Sequence, residues 1–249
     1  MSGDLLSEEI EEKSIEKWWV NSDLRAFLSK ALITRQPKFF VNCGVGAVRK
    51  SYQYSERLVE LPFVFRNIRD PPADVLDIGC VESIVPIQLS MLGYRVTGID
   101  IRNYYFRHRN FAFARGDFNL HDFRGKTFDI VIDVSSVEHF GLRTFSNTKL
   151  DMDADKKAVR RIYDILKPHG QLILTAPFGI HRVIGSFQRV YDKRDIEEML
   201  KNFRINTSEY YHVKSDKSVI KVSARIAGSI EYDTRTGEHA IVMIDATKV

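Results

Sequence analysis

Val75-Leu76-Asp77-Ile78-Gly79-Cys80-Val81-Glu82-Ser83 is a short apolar run that stops on a glycine and turns polar. Its length suits a buried strand, and Gly79 permits a tight turn at its end. Residues 84–92 then read as a helix, with Pro86 tolerable in the first turn and Gly93 placed to close the last. Working outward, residues 95–100, 111–114, 128–133 and 171–176 repeat the strand pattern. Residues 156–166 form a helix with Ala158, Ile162, Ile165 and Leu166 on one side, and 167–170 read as a turn. Residues 192–201 form another helix, with Asp192 as its N-cap and Asp195 adding favourable first-turn charge. Further strands are expected near 204–212, 219–226 and 240–247. Strands alternating with helices predict a mostly parallel sheet covered on both faces, a doubly wound α/β fold. The run of strands at the end predicts an antiparallel edge.

Upstream the pattern is helical. Residues 5–33 read as one or two helices, and the Trp18-Trp19 pair is a core or dimer anchor. Arg57, Leu58, Leu61, Phe63, Val64 and Phe65 suggest a helix packed on the downstream domain, interrupted by Pro62, and Asp70-Pro71-Pro72 is a break. This divides the chain into an N-terminal helical extension, 1–70, serving as a lid or dimerisation arm, and a domain over 71–249.

Composition narrows the class. The chain has 249 residues, 44% hydrophobic and 28% charged, which excludes a disordered or collagen-like chain. No apolar stretch approaches the ~18 residues that span a bilayer, so no membrane insertion is expected. The start is acidic and lacks the pattern of a secretory signal. Cys43 and Cys80 form neither a disulfide framework nor a metal-ligand spacing, which fits a reducing cytoplasm. Net charge is +4, and residues 102–126 concentrate Arg102, Arg107, Arg109, Arg115, Arg124 and Lys126. That segment is either a solvated basic face or a surface for anionic partners such as nucleotide sugars or RNA.

Ligands of such folds sit beyond the carboxyl ends of the strands. An acid inside the first strand-to-loop turn, Asp77, disfavours a pyrophosphate cradle and suits a cationic or hydrogen-donating centre. Asp100 ends the second strand, 21 residues after Gly79, where a carboxylate can accept from both ribose hydroxyls. Asp117 follows the third strand and can accept from an adenine amino group, with Phe118 over the ring. A dinucleotide dehydrogenase would need a Gly-x-Gly-x-x-Gly turn, which residues 79–84 lack.

Val75–Cys80, Gly98-Ile99-Asp100, Arg115-Gly116-Asp117, residues 128–131 and residues 166–172 stand in order and at suitable spacing. Together they resemble a class I S-adenosylmethionine-dependent methyltransferase over about 71–212. The resemblance implies a Rossmann-like methyltransferase fold, with a seven-stranded sheet whose last strand, 240–247, is reversed. It implies S-adenosylmethionine as cofactor. Gly79 approaches its methionine part, Asp77 its amino group, Asp100 the ribose and Asp117 the adenine, with Cys80, Ile101, Phe118 and Ser135 also beside it. The family's second loop glycine is Val81 here, and a β-branched residue disfavours positive φ. The loop must bend differently or bind more weakly, so a degenerate partner subunit that binds cofactor without catalysis stands as an alternative.

Ser135-Ser136-Val137-Glu138-His139-Phe140-Gly141-Leu142 resembles a narrower group of methyltransferase-like proteins, some of them associated with surface polysaccharides. It makes His139 the candidate general base and Glu138 its orienter or counter-charge; the alternative is that both cap a turn and pack under the cofactor. The small-RNA 3′-terminal methyltransferases place a metal-binding Glu where this chain has Ser135, so no metal is expected. Residues 142–153 read as a polar lid. His181, Arg182, Arg189 and Tyr191 are candidate substrate contacts, although Arg189 can instead pair with Asp192. The expected function is methyl transfer to a small polar acceptor, a sugar or nucleotide-sugar hydroxyl, with RNA methylation as the alternative.

Overall fold

A computed structural model describes residues 56–143 and 150–249. The expected helices within 5–33, the Trp18-Trp19 pair and residues 144–149 of the expected lid lie outside the described residues.

Eight strands form the main sheet. They are β1 (Asp74–Ile78), β2 (Arg95–Asp100), β3 (Phe111–Arg115), β4 (Phe128–Val134), β5 (Leu166–Phe178), β8 (Phe203–Val213), β9 (Val219–Val222) and β10 (His239–Lys248). A separate two-stranded hairpin pairs β6 (Arg182–Ile184) with β7 (Gln188–Val190). The sheet order is β3-β2-β1-β4-β5-β10-β8-β9. The first five strands pair in parallel, and β10 runs antiparallel to both β5 and β8. The doubly wound sheet and its reversed last strand are as expected. The short β9 adds an eighth strand by pairing antiparallel with β8.

Alternation along the strands builds two cores. Leu76 and Ile78 of β1 and Val242 and Ile244 of β10 face helix α3 (Ala154–Ile165), where Ala158, Val159 and Ile162 are buried. Val75, Ile130, Ile132, Ile241 and Met243 face the other way. There they meet α1 (Arg57–Asn67) and α2 (Val85–Met91) through Phe63, Val64, Val85 and Leu89. Each such fully buried side chain contributes about 1.5–3 kcal/mol. Helix α1 continues across Pro62, and Glu60 is buried along with Phe63 and Val64.

Two local expectations change. The segment 167–170 is not a free turn: β5 starts at Leu166 and loops out as a wide bulge between the pairs Phe128↔Leu166 and Ile130↔Gln171. Lys167 Nζ pins that bulge by donating to Asp129 Oδ2 (2.8 Å) and Asp74 Oδ2 (3.3 Å). The second late strand, expected over 219–226, stops at Val222, because Ser223 caps the short helix α5 (Ala224–Ala227) by accepting from the Ile226 amide. Helix α4 (Lys193–Met199) does start at Asp192, in a reciprocal capping box with Asp195.

Candidate functional site

The strand order reverses between β1 and β4, and a cavity of about 570 Å³ opens beyond the carboxyl ends of these strands. That volume suits a cofactor-sized ligand. Gly79, Asp100, Ile101, Asp117, Phe118, Ser135 and His139, all marked by the sequence, line it.

Gly79 sits at φ +69° in the left-handed region, and a Cβ there would run into the Ser136 hydroxyl. The turn therefore requires glycine on both counts. Its amide donates to the Ile99 carbonyl (2.9 Å), holding the turn against β2. Val81 then lies in a 3₁₀ turn, Cys80–Glu82, and is absent from the positive-φ residues. The loop does bend in a way that a β-branched residue tolerates. The Val81 amide donates to Asp100 Oδ2 (3.1 Å).

Asp100 is held on all sides. Oδ1 accepts from the Arg102 amide (2.8 Å) and Arg102 Nε (3.0 Å), and Oδ2 accepts from Arg102 Nη2 (3.1 Å) besides Val81. Asp117 Oδ1 accepts from the Asn119 amide (2.8 Å), a local turn that fixes the carboxylate at the cavity wall. Phe118 is buried between Phe123 and Phe140, with the Arg161 guanidinium over its ring.

Asp77 and Cys80 do not line the cavity. Asp77 is buried and its Oδ2 meets no hydrogen-bond donor among the described residues. Burial, reinforced by the neighbouring Asp133, pushes its pKa well above the carboxylate range. Cys80 is buried where Gly98 leaves space for its sulfur, and burial raises its thiol pKa as well.

Ser135, just past the end of β4, stands at φ +49° and leads into a second 3₁₀ turn, Val137–His139. Asp133 Oδ1 accepts from the Val137 amide (3.0 Å) and so anchors this turn. His139 reaches the cavity with its ring fixed from behind: Nδ1 donates to the Phe187 carbonyl (2.6 Å). The β6–β7 hairpin thus holds the ring at Nδ1. Glu138 is buried, its nearest oxygen is 3.8 Å from His139 Nε2, and burial lifts its pKa well above the usual value.

The four expected substrate contacts are not brought into the cavity. Arg189 is buried and donates to the carbonyls of Glu138, Phe140, Asp151 and Met152, with Asp155 at 3.4 Å from its Nε. It satisfies carbonyls of the segment around the site, a scaffolding use that leaves neither a substrate contact nor the alternative pair with Asp192. The Tyr191 hydroxyl donates to Asp155 Oδ2 (3.0 Å). His181 is exposed and pairs with Asp195 (2.6 Å), while Arg182 pairs with Glu231 (2.7 Å).

Two residues that the sequence did not mark belong to the site. Arg57 lines the cavity, and Glu60, one helical turn on, lies buried behind it. The signal was an acid in the middle of an apolar helix face, three residues after an arginine.

Sheet order, reversed strand and a cavity lined by strand-end acids define a class I S-adenosylmethionine-dependent methyltransferase fold. Residues 76–174 match a protein family described as a methyltransferase domain, and that match supports a methyltransferase with S-adenosylmethionine as cofactor. It is similar to the 1,6-didemethyltoxoflavin-N1-methyltransferase of Burkholderia thailandensis, solved with 1,6-didemethyltoxoflavin and S-adenosylhomocysteine. That likeness has a TM-score of 0.56 at 17% identity, over 91% of this chain and 89% of that one. It is also similar to the [4+2]-cyclase SpnF, with a TM-score of 0.51 at 15% identity over 77% of this chain and 80% of that one. An S-adenosylmethionine-dependent methyltransferase from Methanosarcina mazei matches with a TM-score of 0.50 at 17% identity, over 76% and 97%. At these identities the likeness is one of fold. No curated protein matches the sequence. Among the described residues no helix is long and apolar enough to cross a membrane.

The residues present fit this cofactor. Two carboxylates stand at the ends of neighbouring strands, an aromatic ring lies beside the second, and Gly79 keeps the floor free of a side chain. Among the described residues no three His, Cys, Asp or Glu side chains form a metal-holding group.

Proposed function

We propose that the chain methylates a small polar acceptor, with a sugar or nucleotide-sugar hydroxyl as the preferred class. The observation that carries this is one cavity lined both by the acids suited to adenosine and by an imidazole, that of His139, fixed in one orientation. Bound S-adenosylmethionine supplies a methyl group on a readily departing sulfonium. The protein's part is to hold an attacking oxygen in line with that methyl group. A hydroxyl must also shed its proton as it attacks, and a positioned base contributes about 10²–10⁴-fold to that step.

His139 is the proposed base. With Nδ1–H committed to the Phe187 carbonyl, neutral imidazole carries its lone pair on Nε2. Glu138 Oε1 stands 3.8 Å from that nitrogen, and burial holds the Glu138 carboxyl well above its ordinary pKa. Asp100 and Asp117 are the proposed holders of ribose and adenine. RNA methylation is the weaker alternative, because Arg102, Arg115 and Lys126 of the basic segment are engaged within the fold.

Calorimetry with S-adenosylhomocysteine tests the reading. Wild type is expected to bind, Asp100→Ala to bind at least about tenfold more weakly, and His139→Gln to bind as wild type while methylating hydroxyl acceptors at least about 10²-fold more slowly. Equal binding by Asp100→Ala overturns the site assignment. Binding to RNA that weakens steeply with salt would replace the small acceptor with a polyanion.

A further inference from the structure

Helix α1 precedes the segment that matches the methyltransferase domain, yet it reaches the cavity. Glu60 on that helix is fully buried. Its Oε1 accepts from the hydroxyls of Ser135 (2.6 Å), just past β4, and Thr175 (2.6 Å), which pairs with Val134 from within β5. Its Oε2 accepts from Arg57 Nη1 (2.8 Å). Ser135 closes the ring, donating its amide to Thr175 Oγ1 (3.0 Å). One carboxylate thus ties the end of β4 and the adjoining part of β5 to the helix and fixes a guanidinium. That guanidinium belongs to a side chain 23% exposed, on the cavity wall beside Ser135, with Nη1 also 3.4 Å from the Val134 carbonyl.

A buried carboxylate used only as a strand clamp would cost free energy that a threonine would not. Its second oxygen gives it another use, which is to aim Arg57. Among the described residues the cavity wall holds two guanidinium-bearing side chains, those of Arg57 and Arg102. Arg102 lies at the β2 end with Asp100, where the proposed function places adenosine. Arg57 lies at the β4 end, on the far side of Gly79. S-adenosylmethionine ends in an amino acid, and its carboxylate must leave water for a cavity whose other ionised groups are mainly acids.

Resting on that placement of the cofactor, we infer that Arg57, aimed by Glu60, is the binding residue for the amino-acid carboxylate of the adenosyl ligand. Helix α1 thereby supplies one wall of the cofactor site from outside the matched domain. Glu60 is a positioning residue in this arrangement and touches no ligand.

The test compares two ligands on the full chain by calorimetry. S-adenosylhomocysteine carries the amino-acid end, and 5′-methylthioadenosine keeps the adenosine and thioether without it. Arg57→Ala is expected to weaken S-adenosylhomocysteine about tenfold or more, as loss of a charge-assisted hydrogen bond does, and to leave methylthioadenosine unchanged. Arg57→Lys is expected to recover part of the loss, since the charge returns without the planar fork. Retained methylthioadenosine binding shows that the variant is folded. Equal weakening of both ligands, or of neither, overturns the role of Arg57 and leaves the cofactor placement standing. Failure of wild type to bind either ligand overturns that placement, and this inference with it.

Discussion

Asp100 illustrates how a site residue can be engaged before its ligand arrives. Both of its oxygens already accept two hydrogen bonds, half of them from the Nε and Nη2 of Arg102. The two backbone donors are fixed by the loop, whereas the guanidinium is on a flexible stem. A ribose diol offers the same pair of donors as that planar fork, so the proposed placement of the ribose on Asp100 sets cofactor and Arg102 in competition for one carboxylate. Arg102→Ala is therefore expected to tighten S-adenosylhomocysteine by roughly three- to tenfold, the discounted worth of a largely buried ion pair. Added salt is expected to tighten wild type and not the variant, because it weakens the internal pair. Weaker binding by the variant would show that Arg102 helps the ligand instead of opposing it.

At the level of elements, the site depends on segments that carry no ligand contact. The hairpin of β6 and β7 orients His139 through the Phe187 carbonyl, and Arg189 on β7 gathers four carbonyls around the site. Helix α4 comes directly after β7 and is short, so its start matters. Asp192 accepts from the Asp195 amide (2.9 Å) and Asp195 accepts from the Asp192 amide (2.9 Å). Asp192→Ala is expected to cost about 1 kcal/mol, which lowers the thermal midpoint by about 2–4 °C for a chain of this size. An unchanged midpoint would show that packing of Ile196 and Met199, not the cap, holds this helix.

For the molecule as a whole, the buried acids set a pH dependence. Burial pushes Asp133 up to about 7, against hydrogen bonds from the Val137 and Ser136 amides and the charge of Arg57, which pull it down. Burial also raises Asp77, next to Asp133, and Glu138. Unfolded carboxyls titrate near ~4, so between ~4 and about 7 the folded chain holds more protons than the unfolded one. Stability from Asp133 is complete below that window and is lost as pH rises through it, by up to ~1.4 kcal/mol per pH unit, and the raised Asp77 and Glu138 act in the same direction. Asp74 and Asp129 are lowered and act oppositely, losing their contribution at acid pH below the ordinary carboxyl range. The thermal midpoint is expected to be higher at pH 5.5 than at pH 7.5, and Asp133→Asn to flatten the difference. A midpoint that rises with pH across this interval would contradict the burial of these carboxyls.

The sequence by itself determined the sheet, because a strand buried on both faces writes an apolar run and each strand tip writes its own turn. Val75 to Gly79 placed β1 and its bend, and Asp100 and Asp117 marked the ends of their strands, since local chain chemistry fixes where a strand stops. Tertiary structure decided which side chains share a cavity, because that depends on loops and helices brought together from distant parts of the chain. Arg189 looked like a substrate contact and is buried under four carbonyls, while Arg57 looked like an ordinary helix residue and lines the wall. Glu60 shows the reason most plainly: its partners Ser135 and Thr175 are 75 and 115 residues away, and only folding makes that carboxylate a neighbour of the site.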